Sequence, residues 1–222
     1  MDQIIIENEY VELFFIRAAI PVVKDRKNMP EGMENSNLLW DAIWRAHRDV
    51  LTARHNVSYY YANDLLIRSN GRHRDSNNNE MVDNMINRIP VDLYSLLKCE
   101  KEKSFKPRKI IKYLYEKYNN RAVKVGAIQK LVNMTFKYLY LYNCCKMQDT
   151  STIHIKFKIT DCDCPLDSMI LSKIQGYKGP TWTNIESFED YVILQNTIKK
   201  LDEKRIPLRF DFKNYNDPIV LV

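Results

Sequence analysis

One segment of the chain, residues 125–142, restricts the possible folds more than any other, because its core-type residues recur with the period of an α-helix. Five of them would form a single buried face: Ile128, Leu131, Val132, Thr135 and Leu139. The 222-residue chain also contains only five glycines, whereas all-β sandwiches and barrels use many glycines in their turns. We therefore expect a mainly α-helical fold.

The remaining segments fit a single helix-rich domain over residues 1–222, without an internal repeat or a linker. We expect helices at residues 10–20, 36–56, 80–88, 91–99, 107–118, 125–142, 165–174 and 183–201. Pro90 separates two of these helices. Asp163 is expected to cap the seventh helix. Thr183 and Glu186 are expected to form a capping box for the last one.

Three segments depart from the helical pattern. Residues 152–160 alternate strictly between apolar and polar side chains, which predicts a small β element. The C-terminal tail, with Leu208, Phe210 and Phe212, is expected to add a strand. Residues 70–79 are almost wholly polar, which indicates an exposed loop.

Charge is distributed unevenly along the chain. Residues 98–146, the basic helical half, contain thirteen Lys and Arg but three Glu, a net charge of +10, whereas the whole chain carries +6. Residues 117–148 contain no carboxylate, and six of the fourteen tyrosines lie within residues 113–142. A solvated surface normally mixes both signs of charge. The basic half therefore has the electrostatic character of a surface that attracts phosphates.

The basic half could bind phosphates as a helical hairpin. If the helices at 107–118 and 125–142 are antiparallel, their basic faces merge into one groove, where cations contact phosphates and tyrosines stack on unpaired bases. The predicted contacts are Arg108, Lys109, Lys112, Arg121, Lys124, Gln129, Lys130, Asn133, Lys137 and Tyr140. The alternative interpretation is a solvated helix face with tyrosines in the core.

Four of these residues form a polar stripe on the helix expected to be central, namely Gln129, Lys130, Asn133 and Lys137. Polar groups at such a position must find partners or line a cavity. A phosphate held between Lys130 and Lys137, with amide hydrogen bonds from Gln129 and Asn133, would satisfy them. Contacts with neighbouring loops would satisfy them equally well, and both interpretations remain open at this point.

A separate hypothesis concerns Arg48 and His55, which are seven residues apart and would share one helix face. A histidine that takes the proton of a ribose 2′-hydroxyl, with an arginine that stabilises the charged phosphorane, suffices for metal-independent RNA cleavage. The spacing resembles the Arg-x4–6-His motif of HEPN-type ribonucleases and toxins, which implies a helical, usually dimeric ribonuclease. In the alternative interpretation, Arg48 pairs with Asp49 or Asp41 and His55 ends a helix.

Cysteines and acids concentrate at residues 161–167, with Cys144, Cys145 and His154 upstream. Thiols and an imidazole are zinc ligands, but adjacent cysteines and a C-x-C pair at this separation fit no common zinc module. The alternative interpretation is an ordinary helix N-terminus. We expect neither a metal site nor a cofactor.

The cysteine count and the hydropathy indicate the compartment. Five cysteines are an odd number, which favours reduced thiols in a cytoplasm. The apolar stretch at 11–23 is interrupted by Glu12, Arg17 and Pro21, and it is too short to span a bilayer. The abundance of Lys, Asn, Ile and Tyr is typical of an AT-rich genome, so we expect a phage, mobile-element or bacterial defence setting.

Together these features predict a cytoplasmic helical protein that binds nucleic acid or a nucleotide through its basic half. The HEPN-like ribonuclease with Arg48 and His55 is one alternative. The other is an interaction or inhibitor protein whose basic surface docks on an acidic protein partner. The sequence does not indicate an oligomeric state.

Overall fold

The computed structural model describes residues 38–51, 88–99, 105–118, 123–144 and 155–216. Its α-helices are α1 (Leu38–Leu51), α2 (Ile89–Cys99), α3 (Pro107–Tyr118), α4 (Val125–Cys144), α5 (Ser168–Ser172), α6 (Phe188–Leu201) and α7 (Pro207–Asn216). The described ranges contain no strand, so the prediction of a mainly α-helical fold is confirmed. The helix expected at 10–20 and the polar loop expected at 70–79 lie outside these ranges.

Helix α4 lies at the centre of the described structure. Every residue from 125 to 139 is buried, as expected for a helix surrounded by other elements, and α1, α3 and α6 all pack against it. Gly126 is required at its start, because a Cβ there would lie 1.8 Å from the carbonyl oxygen of Trp182. The Gly126 amide donates to the carbonyl oxygen of Ile185 at 3.1 Å, which joins α4 to the segment before α6.

Helix α1 buries the apolar face that its sequence predicts. Leu39, Trp40 and Ile43 are almost fully buried against α4 and α2. Trp40 stacks with Trp44, with ring centroids 6.1 Å apart, and meets Tyr94 of α2 edge-on at 5.6 Å. This aromatic contact joins α1 to α2, although the two helices are far apart in sequence. None of the helices in the described part of the chain has the length and apolarity required to cross a membrane.

Three predicted helix starts differ from the structure. Pro90 lies inside α2, in its first turn, where proline is tolerated, rather than before the start of this helix. Residues 80–87 of the helix expected before it lie outside the described ranges. The cap of α5 is Asp167, whose carboxylate accepts from the Ile170 amide. The cap of α6 is Ser187, whose hydroxyl accepts from the Asp190 amide at 3.0 Å, so the capping box predicted from Thr183 and Glu186 is not formed.

The predicted β structure is smaller than expected. Within 152–160, the described residues make one isolated parallel bridge, between Phe157 and Phe105, before a 3-10 turn begins at Ile159. The C-terminal tail is helix α7 rather than a strand. The alternation of apolar residues suggested a strand with one polar face. In the structure the intervening Arg209 and Asp211 are also buried, and both form ion pairs.

Candidate functional site

An extended segment, residues 162–167, crosses between α4 and α6, and two buried glutamines bind its backbone. Gln129 of α4 donates to the carbonyl oxygen of Leu166 at 2.9 Å and accepts from the Leu166 amide at 3.1 Å. Gln195 of α6 makes the same pair of bonds to Cys164, at 2.7 and 2.9 Å. Each side-chain amide thus substitutes for a neighbouring strand and satisfies buried backbone groups.

Asp163, between these two residues of the segment, accepts hydrogen bonds from two helices. Arg108 of α3 donates to both of its carboxylate oxygens, at 2.6 and 2.8 Å. Tyr191 of α6 donates to it at 2.6 Å, while Asn133 of α4 donates to the Tyr191 hydroxyl at 3.1 Å. The hydrogen bonds that Arg108 donates to Asp163 raise the pKa of Arg108, and burial raises the pKa of Tyr191. The network fixes the Arg108 guanidinium as a permanent cation at the start of α3.

The two lysines of the polar stripe lie in the interior. Lys137, 1% exposed, pairs with Asp211 of α7 at 2.5 Å, and its ammonium lies 4.9 Å from the centre of the Phe212 ring. Lys130 lies over the Trp182 ring at 4.5 Å and 3.9 Å from Asp167. Burial raises the pKa of Asp211, although Lys137 acts in the opposite direction. The stripe thus contacts neighbouring segments, the second of the two interpretations left open by the sequence.

The other predicted phosphate contacts are dispersed. Lys124 pairs with Glu186 at 2.7 Å. Tyr140 packs against Phe212 with ring centroids 6.0 Å apart. Arg121 lies outside the described residues. The nine of these ten residues that the structure describes therefore do not meet on one surface, because α4 turns its polar stripe toward the C-terminal half of the chain.

The hypothesis of an RNA-cleaving pair concerns residues that the structure does not fully describe. Arg48 belongs to α1, but its side chain and all of His55 lie outside the described part. Asp49, the neighbour of Arg48, accepts a hydrogen bond from Tyr138 of α4 at 2.6 Å. The Arg48–His55 ribonuclease stays a prediction.

The cysteine cluster is part of the segment that the glutamines bind. Cys162 and Cys164 are buried free thiols, and burial raises the pKa of both. Cys144 is exposed at the end of α4. Within the described ranges, no three Cys, His, Asp or Glu residues are grouped closely enough to hold a metal ion.

A cleft of about 390 Å³ lies beside Asp163, and we call it the basic cleft. It is bordered by the start of α3, the turn at residues 159–161, and helices α6 and α7. Its lining residues are Lys106, Arg108, Lys109, Lys112, Thr160, Asp161, Asp163, Phe188, Lys199 and Pro207. Half of these residues are basic, and a single aromatic ring lies among them, so the cleft combines positive charge with an apolar surface.

The lysines of the basic cleft differ from those of the interior. Lys106, Lys109 and Lys199 are exposed, and none of them forms an ion pair with any residue that the structure describes. Lys112 lies 3.8 Å from Glu116, and both side chains are more than half exposed. Such an exposed pair contributes little to stability. The positive charge of the cleft is therefore available to a ligand.

Two carboxylates at the cleft reduce its positive charge. Asp163 is fully engaged by Arg108 and Tyr191, so it acts as a fixed support beneath the cleft. Asp161 is partly buried and forms no ion pair with a described residue. The Arg108–Asp163 bonds use Nε and Nη2 of the guanidinium and leave Nη1 outside the pair.

The sequence indicated only part of the basic cleft. Arg108, Lys109 and Lys112 were expected from the charge of the basic half, and the structure brings these three together. Phe188 and Lys199 were not expected, because they come from α6, which lies outside the basic half. Their spacing of eleven residues places them on one helix face. Only the packing of α6 shows that this face borders α3.

Comparison of the chain with protein-family models, with curated proteins and with solved structures found no match.

Proposed function

We propose that the protein binds a phosphate-bearing ligand, a nucleotide or nucleic acid, in the basic cleft. The observation that carries this proposal is the convergence of Lys106, Lys109 and Lys199, from two separate parts of the chain, without an acidic partner among the described residues. Like charges so placed repel one another, and a bound anion would relieve the repulsion.

The chemistry of the cleft suits phosphate. Each lysine ammonium offers three hydrogen-bond donors on a flexible stem and attracts phosphate as a point charge. Arg108 adds a guanidinium whose orientation is fixed by Asp163, so that little side-chain entropy remains to be lost on binding. Phe188 supplies an apolar ring on which a base could lie.

Nucleic acid or a nucleotide is the partner that the cleft favours over an acidic protein, since phosphates carry a denser charge than carboxylate side chains. We expect the protein to act in a cytoplasm, where buried free thiols such as Cys162 and Cys164 remain reduced.

The test is equilibrium binding of labelled oligonucleotides and nucleotides over a salt series. A cleft variant, Lys109→Gln with Lys199→Gln, is compared with a control variant, Lys178→Gln with Lys200→Gln. Both variants remove two exposed lysines, and Lys200 follows Lys199 directly on α6 but does not line the cleft. We expect the cleft variant to bind single strands more weakly. Its log–log salt slope should be shallower by about 1.4, because each phosphate that loses its lysine reduces the slope by about 0.7.

Two outcomes contradict the proposal. One is the absence of salt-dependent binding to any of the phosphate ligands. The other is an equal loss of affinity in the cleft and control variants, because that result assigns the binding to net charge rather than to the cleft.

A further inference from the structure

The position of Phe188 narrows the class of ligand. Phe188 begins α6, lies partly buried at the cleft, and packs against Tyr191 with ring centroids 5.8 Å apart. The ammonium of Lys112 lies 6.0 Å from the centre of the Phe188 ring. An aromatic ring held by the core and flanked by lysines is the arrangement that stacks a nucleobase while cations bind its phosphate.

The spacing of the lysines suits more than one phosphate. Lys106, Lys109 and Lys112 follow one another at intervals of three residues along one wall of the cleft. Lys106 directly precedes α3 and the other two lysines lie on it, so at about 1.5 Å per residue the row spans about 9 Å. Lys199 stands on α6, a second wall. A phosphate backbone could contact charges spread over this length and on two walls. A single phosphate group is too small to contact all of them.

The basic surface also continues past the cleft. Phe105 and Phe157 form a parallel bridge, and an exposed lysine directly follows each of them. These lysines are Lys106 and Lys158. The cleft lysines remain largely in solvent, as the 58% exposure of the Lys112 side chain shows. Sites for single nucleotides instead enclose most of their ligand. An open, extended basic surface is therefore typical of contact with a polymer.

We infer that the ligand of the basic cleft is a single nucleic-acid strand, with one base stacked on Phe188 and consecutive phosphates bound by the lysines of the cleft. The inference rests on the proposed function. A duplex fits less well, because its bases are already stacked on one another and offer no face to Phe188.

The experiment compares the full chain with Phe188→Leu and Phe188→Trp in binding a labelled oligothymidine, the corresponding duplex and thymidine monophosphate. Leucine keeps the apolar volume but removes the ring, whereas tryptophan keeps a ring. We expect the single strand to bind more tightly than the duplex and the mononucleotide. Phe188→Leu should weaken single-strand binding by about 5- to 150-fold with little change in salt slope, and Phe188→Trp should retain it.

A second readout covers the case in which Phe188→Leu does not fold. The indole introduced by Phe188→Trp should lose fluorescence when oligothymidine binds, measured against the wild-type change because the chain already has three tryptophans. An unquenched indole, or duplex binding as tight as single-strand binding, overturns the inference. If Phe188→Leu binds like wild type while the lysine variant is weak, the inference fails and the proposed function stands.

Discussion

The interior of the protein and its basic cleft use the same residue types in opposite ways. In the interior, Lys137 is 1% exposed and pairs with Asp211, and Arg209 is paired with Asp202 at 2.7 Å. At the cleft, Lys109 and Lys199 are exposed and lack an ion pair with any described residue. A cation enclosed by protein needs a counter-charge, whereas a cation in water does not.

The difference shows which lysines can act on a ligand. A buried ion pair restricts how α4 and α7 pack, because either charge alone would be costly. An exposed lysine contributes little to the fold and keeps its full attraction for an anion. Six of the nine cations that the structure describes in the basic half pair with an acid. Of the other three, Lys106 and Lys109 line the cleft.

The largest expected effect comes from removing an interior cation. Lys137→Met leaves the Asp211 carboxylate buried without its partner, and we expect the free energy of unfolding to fall by about 3–5 kcal/mol. Urea denaturation measures the change. Combining it with Asp211→Leu removes both charges and should recover most of the loss. A single variant as stable as wild type would show that the pair does not hold α4 against α7.

A smaller loss is expected from the buried glutamines. Gln195→Leu leaves the Cys164 amide without its acceptor and removes one of the two donors to the Cys164 carbonyl. Each buried group left unsatisfied costs about 1–3 kcal/mol. Thermal or urea unfolding checks this, with Asn196→Leu as the exposed control on the same helix. Equal effects of the two substitutions would remove the special role of Gln195.

A pH-dependent effect follows from Asp49. Burial raises its pKa above the ordinary 3.8, despite the hydrogen bond from Tyr138. The folded state therefore binds the proton more tightly than the unfolded state. The resulting stabilisation is complete below about pH 3.8 and is lost as pH rises through the raised pKa.

Asp49→Asn keeps an acceptor for Tyr138 but cannot ionise. Its stability relative to wild type should increase as pH rises from about 4 to about 7. Urea midpoints at several pH values measure the trend. A stability difference that does not change with pH would contradict the assignment.

The smallest expected effect concerns a carboxylate at the cleft. Asp161 contributes a negative charge among the cleft lysines. Asp161→Asn should tighten oligonucleotide binding a few-fold at low salt, and the gain should disappear as salt screens the charge. Weaker binding by this variant would instead indicate that the carboxylate takes part in recognition.

The sequence predicted the local elements well and their partners poorly. The bounds of α3 agree with the expected 107–118, and α4 extends the expected 125–142 by two residues, because helical periodicity is a local property. The prediction of a strand in the C-terminal tail was wrong because a short apolar run does not distinguish a strand from a buried helix. Pro207 at the first position of α7 favours the helix.

The candidate site was only partly predictable for the same reason. A count of charges located the basic half but did not show that Asp163, Asp167 and Asp211 would meet its cations. These acids lie thirty or more residues further along the chain, so the pairing is a product of tertiary packing. Phe188 gave no local signal, since an apolar residue at the start of a helix normally serves the core.

Lysine acylation footprinting, read by mass spectrometry with and without oligothymidine, tests the central contrast most directly. We expect fast modification of Lys106, Lys109, Lys112 and Lys199, protection of these four by the oligonucleotide, and slow modification of Lys137 under both conditions. Fast modification of Lys137 in the folded protein, or protection of other exposed lysines while the cleft lysines remain reactive, would contradict it.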